Sequence, residues 1–336
     1  ARMRQPPLTD GFGRRIESLR ISITDRCNFR CRYCMPAEGL PWLQRNEILT
    51  YEEIERLARI FCSLGVRSVR VTGGEPLVRK DAPVLVEKLS RVPGLDDLSL
   101  TTNGVALRTL AGPLVAAGLR RLNVSLDSLR PERFRSITRW GDLGKVLAGI
   151  EAARAAGFPQ VKLNAVLIRG VNDEGLLPLV RFAHERGLIL RFIELMPLTT
   201  TEVLSRENFL SAEEARDRIG RELPLTMESV KLGHGPAVYY RTGLGSLVGF
   251  IGAMSDLHFC DLCNKVRLTP DGKLRPCLGN HLEFDLKGVL RSGGSDADLE
   301  DLFRRALGLK PRGALTVLGQ PYLILQREAV DQKPAP

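Results

Sequence analysis

The chain has 336 residues, of which 43% are hydrophobic and 26% charged, a composition typical of a globular protein with one large core or two smaller ones. No run approaches the ~18 apolar residues of a membrane span and the first residues lack the apolar core of a signal peptide, so we expect a cytoplasmic protein without membrane contact. The net charge of +10 favours anionic ligands, and because no dense Lys/Arg run is interleaved with aromatic residues, we expect no nucleic acid partner.

Short β-rich runs alternate with amphipathic helical windows over the first two thirds of the chain. Thr50 is a good N-cap for the first helix, and glycines such as Gly65 and Gly187 fall where helices should end. Six βα units in series predict an α/β fold whose parallel sheet, wrapped by helices, curls into a full or partial barrel. The strand candidates are Leu19–Thr24, Ser68–Thr72, Asp97–Thr101, Arg121–Leu126, Val161–Leu167 and Ile189–Glu194, and the helix candidates are Tyr51–Leu64, Asp81–Arg91, Leu107–Ala117, Pro131–Ile137, Gly144–Ala156 and Asp173–Arg186.

The pattern changes after about Met196, where the regular βα alternation ends. We therefore predict a barrel domain at 1–197, a smaller α+β region at 198–320 and a frayed tail at 321–336. In the second region, Leu198–Leu210 is polar, Ser211–Glu222 predicts a helix, Ala237–Arg241 and Ser246–Ile251 predict a hairpin, and Asp298–Ala306 predicts a last helix.

Six of the seven cysteines form two triplets, and an odd count without an export signal argues against a disulfide framework. Cys62 stands alone in a helical pattern and is expected to be a buried small hydrophobe. A four-iron cluster takes four thiolates when fully ligated, so a triplet leaves one iron open to a small molecule. The triplets therefore predict two 4Fe–4S sites. Their ligands are Cys27, Cys31 and Cys34 in the first site and Cys260, Cys263 and Cys277 in the second.

Several motifs lie at the carboxyl ends of the predicted strands, where ligands bind in parallel α/β sheets. The first triplet follows the first strand, Gly73-Gly74-Glu75-Pro76 follows the second, and Met196 follows the sixth. The two glycines would permit close backbone approach, and Glu75 would offer an acceptor for an ammonium group.

The spacing C-x3-C-x2-C, with Tyr33 directly before the last cysteine and the Gly-Gly-Glu-Pro motif after the second strand, resembles the radical S-adenosylmethionine superfamily. The resemblance implies a partial (β/α)6 barrel and a first cluster whose open iron chelates the methionyl group of S-adenosylmethionine. One electron, from a donor such as flavodoxin or ferredoxin, would then release a 5′-deoxyadenosyl radical. The positions that match cosubstrate contacts are Tyr33, Gly73, Gly74, Glu75, Ser125 and Met196.

Nearly the whole chain, from about Leu19 to Lys310, resembles the molybdenum cofactor biosynthesis protein A family, the GTP 3′,8-cyclases. The resembling motifs include Ser22–Cys31, Asn123–Leu129 and Arg267–Cys277, and the second triplet has the family's spacing. The resemblance implies a lyase that converts GTP to 3′,8-cyclo-7,8-dihydro-GTP, with guanine at the second cluster and the triphosphate on basic side chains. It also allows for a homodimer. The matching nucleotide positions are Arg20, Arg70, Thr101, Lys162, Arg191, Lys265, Val266 and Arg267, and Arg267 joins the first triplet as a catalytic candidate.

Three features depart from the family pattern. Ser68 stands where a lysine is usual, Lys265 where an arginine is usual, and the sequence ends in Pro-Ala-Pro instead of Gly-Gly. These departures remove two elements of the active-site chemistry and soften a third, because lysine lacks the planar fork of arginine. A second interpretation is therefore a cyclase-like radical S-adenosylmethionine paralogue that acts on a different nucleotide or small molecule. A third is a binding protein whose cysteines hold zinc, with His258 or His281 completing the second triplet.

Overall fold

The computed structural model describes residues 8–196 and 207–313, together with the backbone of two short strands, β13 (Thr316–Val317) and β14 (Gln320–Pro321). The first nine residues of the predicted polar stretch Leu198–Leu210, and the predicted tail at 321–336 apart from the backbone of Pro321, therefore lie outside the described residues.

Six parallel strands joined by helices form the first part of the fold, as the βα alternation predicts. Every strand begins within one residue of its predicted start. The helix predicted at Asp173–Arg186 begins only at Leu176, after a short 3-10 turn. The strands are β1 (Ser18–Ser22), β2 (Ser68–Thr72), β3 (Asp97–Thr102), β4 (Arg121–Ser125), β5 (Gln160–Leu167) and β6 (Ile189–Glu194), and the helices are α1 (Tyr51–Ser63), α2 (Ala82–Ser90), α3 (Leu107–Ala116), α4 (Pro131–Thr138), α5 (Leu143–Ala155) and α6 (Leu176–Glu185).

Local interactions set the helix ends that the sequence predicted. The Thr50 hydroxyl accepts the Glu53 N–H at 3.2 Å and the Glu53 carboxylate accepts the Thr50 N–H at 2.7 Å, which forms a capping box at the start of α1. Gly65 and Gly187 follow α1 and α6 with φ of 116° and 65°, a left-handed conformation that glycine adopts without steric cost.

The second region contributes shorter elements. The hairpin and both helices predicted there are confirmed, whereas four short elements were not predicted. These four are the strands at Leu225–Glu228, Lys273–Arg275 and Phe284–Asp285 and the helix at Leu286–Arg291. The elements are α7 (Ala212–Gly220), β7 (Leu225–Glu228), β8 (Val238–Thr242), β9 (Leu247–Ile251), β10 (Lys265–Leu268), β11 (Lys273–Arg275), β12 (Phe284–Asp285), α8 (Leu286–Arg291) and α9 (Asp296–Gly308).

Both edges of the six-stranded sheet are extended by strands of the second region. β10 pairs in parallel with β1, and β9 pairs in parallel with β6. Among the described residues this gives one twelve-stranded sheet in the order β12-β11-β10-β1-β2-β3-β4-β5-β6-β9-β8-β7. The two predicted regions thus share one sheet, and the boundary at residue 197 stays a prediction.

Alternate residues of the strands separate the hydrophobic core from the inner face of the barrel. Leu19 and Ile21 in β1 and Val69 in β2 are fully buried in the core beneath the helices. Arg20 and Arg70 lie between core positions and directly opposite each other, so their side chains project from the other face of the sheet. This alternation places the polar side chains of the strands on one surface.

Candidate functional site

Six cationic residues share the inner face of the barrel. Arg267, Arg20 and Arg70 are in register on β10, β1 and β2, and Lys265 lies two residues before Arg267. On the far side, β5 and β6 contribute one cation each from the same pleat. We call these six residues the cation ring: Arg20, Arg70, Lys162, Arg191, Lys265 and Arg267.

Burial lowers the pKa of every member of the cation ring, and neighbouring cations lower it further. Buried like charges are costly without a counter-charge, so this face has the electrostatics of a polyanion site. The pKa values fall to about 9 for Arg20, about 10 for Arg267, about 8 for Lys265 and about 6 for Lys162, and those of Arg70 and Arg191 are also lowered.

Neutral acceptors hold two of the ring cations in place. Arg191 donates through Nη2 to Asn123 Oδ1 at 2.6 Å and to Asn164 Oδ1 at 2.7 Å. Lys162 Nζ donates to the Leu232 carbonyl at 2.5 Å. Because these acceptors carry no charge, they orient the cations without neutralising them. Sequence reasoning missed the two asparagines, although each lies two residues from a predicted site residue on the same pleat.

Arg121 is a further cation of the inner face that the sequence analysis did not select. It begins β4, and its Nη1 pairs with Asp97 Oδ2 at 3.0 Å. Its charge contributes, after burial, to the lowered pKa values of Lys162 and Arg70. Ser68, at the position where the family has lysine, donates to the same Asp97 Oδ2 at 3.0 Å. Arg121 therefore supplies positive charge next to the position where Ser68 supplies none.

The first triplet lies on the loop after β1, at the carboxyl end of the barrel strands. Cys27 and Cys31 are half-buried, Cys34 is exposed, and the Phe29 N–H lies 3.4 Å from Cys27 Sγ. Burial raises the pKa of all three thiols, to about 11 for Cys27 and well above the usual value for Cys31. A metal ligand must be the thiolate, so a bound iron cation would have to supply the charge that offsets burial. Three thiols outside any disulfide fit a 4Fe–4S cluster with one open iron.

Neighbouring strand ends anchor this cysteine loop. The Tyr33 hydroxyl donates to Asp127 Oδ2 at 2.8 Å, just beyond β4, and Asn103 Nδ2 donates to Asn28 Oδ1 at 2.7 Å, just beyond β3. Burial raises the pKa of Asp127 to about 6. The loop is thus fixed by side chains from two different strands.

The Gly-Gly-Glu-Pro motif packs against the backbone that leads into the first triplet. A Cβ on Gly74 would lie 2.3 Å from the Arg26 carbonyl oxygen, so only glycine fits there. Glu75 is buried and accepts from Thr102 Oγ1 and the Asn103 N–H, both at 2.6 Å. Burial raises the pKa of Glu75 to about 7, although these hydrogen bonds oppose the shift. Its part as an ammonium acceptor stays a prediction.

The second triplet draws on two segments that flank β10 and β11. Cys260, Cys263 and Cys277 are half-buried. Burial acts to raise the pKa of Cys263. The positive charge of Lys310 outweighs this effect, together with the hydrogen bond from the Lys265 N–H and the charge of the Lys265 side chain, so the pKa is lowered. A thiolate-favouring position among three cysteines fits a second 4Fe–4S cluster.

The zinc interpretation finds no support in this geometry. Zinc draws its four ligands to about 2.0–2.3 Å from one point. Among the residues that the structure describes, no three His, Cys, Asp or Glu side chains converge in this way, whereas a four-iron cluster spreads its ligands over separate irons. His258 is instead exposed and pairs with Asp261 Oδ2 at 2.8 Å, and His281 is also exposed.

The remaining predicted positions divide between the two faces of the sheet. Thr101 and Ser125 share the inner pleat with the cation ring, and Met196 lies half-buried two residues after β6. Val266 pairs with Leu19 on the opposite pleat and is fully buried in the core. Only the backbone of Val266 can therefore face a ligand in the barrel.

Comparison with known proteins agrees with this site. Residues 21–183 match the family model described as the Radical SAM superfamily. The first structural neighbour, SuiB of Streptococcus suis bound to S-adenosylmethionine, superposes with a TM-score of 0.58 over 82% of this chain at 16% identity. The chain spans 65% of that protein's length, slightly less than two thirds, and the likeness supports the fold. The protein is a radical S-adenosylmethionine enzyme, and the predicted fold class is confirmed.

The second region shows which family within this superfamily the chain resembles. Residues 188–315 match the model described as Molybdenum Cofactor Synthesis C. The chain is 51% identical to a GTP 3′,8-cyclase of Moorella thermoacetica, over 90% of this chain and 94% of the relative. It is 50% identical to that of Pseudomonas entomophila, over 90% of this chain and 91% of the relative. The chain belongs to the GTP 3′,8-cyclase family. The use of S-adenosylmethionine and 4Fe–4S clusters, as predicted, follows from this membership.

Proposed function

We propose that this chain is a GTP 3′,8-cyclase of molybdenum cofactor biosynthesis. One observation carries the proposal: β1 and β10, neighbouring strands that both bear members of the cation ring, connect it to the two cysteine triplets, because the first triplet follows β1 and Cys263 directly precedes the segment that begins β10. Such a compartment suits a small polyanion that must reach two metal sites. Relatives with about half of their residues identical to this chain bear the same name.

The chain's own part begins with the triphosphate. Ring arginines present planar forks to phosphate oxygens, and ring lysines add point charges. A bound polyanion supplies the counter-charge that the ring cations lack, so it raises their lowered pKa values and secures their protonated forms. Arg191, fixed by two asparagine oxygens, enters this arrangement already oriented.

The first triplet would hold the cluster that binds S-adenosylmethionine. We assign cosubstrate contacts to Tyr33, Gly73, Gly74, Glu75, Ser125 and Met196. When bound, the cluster and cosubstrate would supply the radical chemistry that takes a hydrogen from the ribose and lets its C3′ bond to guanine C8. The loop anchors from Asp127 and Asn103 hold the first triplet still during this step.

The second triplet would hold a cluster with one iron open to the guanine base. We assign the contacts near it to Lys265, Arg267 and the backbone of Val266. With guanine fixed at one end and the triphosphate along the ring, the ribose is confined between the two triplets.

Each turnover needs two electrons from outside the chain, one for reductive cleavage of the cosubstrate and one, with a proton, for the nucleotide radical that remains after the new carbon–carbon bond forms. We assign their delivery to an electron-transfer protein such as flavodoxin or ferredoxin, and a homodimer remains part of the proposal. In the described part of the chain, no helix combines the length and the apolar character needed to span a bilayer.

The test is an anaerobic assay with reconstituted protein, dithionite, S-adenosylmethionine and GTP. We expect 5′-deoxyadenosine and cyclised product in equal amounts, and no GTP-dependent 5′-deoxyadenosine from Cys27→Ala. The Arg267→Ala variant should bind GTP more weakly at unchanged iron content, whereas Arg305→Ala, on an exposed residue of α9, should not. Cosubstrate cleavage without GTP dependence and without cyclised product would refute the proposal.

One observation favours a second candidate, a paralogue with another nucleotide substrate. Ser68 binds Asp97 instead of offering an ammonium group to a ligand. The same assay with ATP, ITP and UTP separates the candidates, because a cyclase specific for GTP should release 5′-deoxyadenosine with GTP only.

A further inference from the structure

Two buried cations from opposite ends of the chain contact every segment of the second triplet. Arg14 Nη1 donates to the carbonyl of Cys260 at 2.8 Å. Lys310 Nζ donates to the carbonyl of Lys265 at 2.9 Å and to that of Pro276 at 2.5 Å. Lys265 lies two residues after Cys263, and Pro276 lies directly before Cys277. We call Arg14 and Lys310 the second-site clamp.

Among the described residues, the charge on Lys310 has no carboxylate partner. The residue is 2% exposed, and within the described ranges its ammonium group makes no ion pair. Carbonyl dipoles satisfy hydrogen bonds but do not neutralise the charge, and a buried ammonium is costly without an anion. The thiolates of an iron–sulfur cluster on the adjoining cysteines are the anions that this position fits.

Arg14 is held rigidly at its base. Its Nε donates to Asp10 Oδ2 at 2.6 Å, and both side chains are almost completely buried. Asp10 Oδ1 also accepts the Arg14 N–H at 3.0 Å. The planar guanidinium therefore reaches the Cys260 carbonyl from a fixed start, which lysine at this position could not reproduce.

The same guanidinium binds the segment that follows α9. Arg14 donates to the carbonyl of Pro311 at 2.6 Å and to that of Arg312 at 2.8 Å. The second-site clamp thus ties three parts of the chain together: the segment before β1, the cysteine segments and the residues after α9. None of the three is close to another in sequence, and the clamp adds side-chain hydrogen bonds to the β1–β10 pairing that already brings the first two together.

We propose that Arg14 and Lys310 are positioning residues of the second iron–sulfur site: they hold its three cysteine segments in place, and Lys310 compensates the charge of its thiolates. This inference rests on the proposed assignment of Cys260, Cys263 and Cys277 as cluster ligands. Neither residue touches the reacting atoms, so their effect is on the metal site itself.

The test uses the full chain with Cys27, Cys31 and Cys34 changed to alanine, so that only the second site can hold iron. Iron content and the midpoint potential are measured after anaerobic reconstitution, the latter by redox titration followed by electron paramagnetic resonance. Lys310→Met should lose at least half of the iron or shift the remaining cluster to a more negative potential, because lost positive charge disfavours reduction. Arg14→Gln should also lose iron, by loosening the Cys260 segment.

Two matched variants separate charge from packing. Lys310→Arg keeps the charge and should keep the potential close to that of the parent. Arg305→Met removes an exposed charge from α9, and should change neither iron nor potential. Far-ultraviolet circular dichroism identifies any variant that fails to fold. If Lys310→Met fails to fold, the iron content of Arg14→Gln tests the positioning role alone: loss of iron supports it, and full iron content contradicts it.

The outcomes separate a failure of the ligand assignment from a failure of the proposed role of the second-site clamp. A parent protein that binds no iron would overturn the ligand assignment and with it the inference. Full iron content in the parent, with the same iron and potential in every folded variant of the second-site clamp, would overturn the clamp alone.

Discussion

Single residues of the inner face owe their properties to the pleat of the strands. Adjacent positions alternate between core and cation ring, so Val266 and Arg267 differ completely in environment although they are neighbours. A motif match names both as nucleotide contacts, and only the strand geometry separates a side-chain contact from a backbone contact. The same geometry reveals Arg121, which no motif marks.

Lys162 should make nucleotide binding depend on pH. Burial first, and then Arg191, Arg121 and Arg70, lower its pKa to about 6, so in the free protein the amine is mostly neutral at pH 8. A bound triphosphate raises that pKa, so binding takes up a proton and affinity increases as pH falls from 8 towards 6. Calorimetry in buffers of different ionisation enthalpy should detect this uptake.

The matched variant is Lys162→Met, which should bind the nucleotide more weakly than the parent and take up fewer protons on binding at pH 8. The nucleotide's own titration is common to both proteins. Since the folded pKa lies below the unfolded value of 10.5, the unfolded state binds more protons between these values and Lys162 costs stability as pH falls. Lys162→Met should therefore be the more heat-stable protein at pH 7 without nucleotide. Equal proton uptake would contradict the assignment.

Gly74→Ala should damage the first site. The new Cβ would lie 2.3 Å from the Arg26 carbonyl oxygen, which already accepts the Glu75 N–H at 2.8 Å, so the backbone before Cys27 must move. We expect a loss of about 1–3 kcal/mol in unfolding free energy together with loss of first-site iron. Urea denaturation and iron analysis measure both.

The control for this change is Gly220→Ala. Gly220 is the exposed last residue of α7, and apart from its chain neighbours and its own helix backbone no heavy atom lies within 4 Å of a new Cβ, so the change should be neutral or stabilise the helix by up to about 1 kcal/mol. Intact first-site iron in Gly74→Ala would show that the loop tolerates displacement.

At the scale of elements, the barrel half could be predicted almost to the residue and the second half only in part. βα periodicity, the Thr50 cap and the helix-ending glycines are local signals, and they place all six parallel strands. By contrast, β11 has three residues and β12 has two, too few for a periodic pattern. The pairing of β10 with β1 joins residues about 250 positions apart, which no local pattern encodes.

Glu194 illustrates how an unpredicted residue joins elements. It ends β6, and its carboxylate accepts from the Ala212 N–H at 2.7 Å, the Met254 N–H at 2.7 Å, and the Ser255 N–H and hydroxyl at 2.9 and 2.5 Å. It therefore connects β6 to the start of α7 and to the turn that leads towards Cys260. From the sequence, Glu194 is predicted only as the last residue of a strand.

Glu194→Gln should destabilise the fold, because an amide nitrogen would face donors that need an acceptor. We expect a loss of about 2–4 kcal/mol in unfolding free energy, measured by urea denaturation. Glu185→Gln changes an exposed carboxylate that pairs only with Arg186 at 3.3 Å among the described residues, and should cost less than about 1 kcal/mol. If the two changes lower the unfolding free energy equally, the hydrogen bonds of Glu194 to α7 and to the turn before Cys260 do not stabilise the fold.

At the scale of the whole molecule, the cationic side chains behind the net charge of +10 fall into two groups. Outer arginines commonly meet carboxylates, as Arg154 meets Glu151 at 2.6 Å and Arg291 meets Glu53 at 2.8 Å. In the part of the chain that the structure describes, no member of the cation ring forms an ion pair with a carboxylate, and Arg191 and Lys162 donate to neutral acceptors instead. Composition therefore indicated an anionic ligand but could not locate it, since location depends on which arginines lack carboxylates.

The shared sheet predicts that the chain unfolds as one unit. Loss of the second region would uncover β1 at one edge and β6 at the other, so neither predicted region should remain folded when the other unfolds. In urea, the iron-free reduced protein should show one transition with a single midpoint.

Two probes test this, because they report different parts of the molecule. Both tryptophans, Trp42 and Trp140, flank Arg30 beside the first triplet, with ring centroids 5.1 and 4.2 Å from its guanidinium carbon, so fluorescence follows the barrel alone. Far-ultraviolet circular dichroism follows helices and strands of both regions. Coincident midpoints are expected. A circular dichroism change that precedes the fluorescence change would instead mean that 198–320 unfolds independently, as a separate domain would, and that pairing with β1 and β6 adds little to its stability.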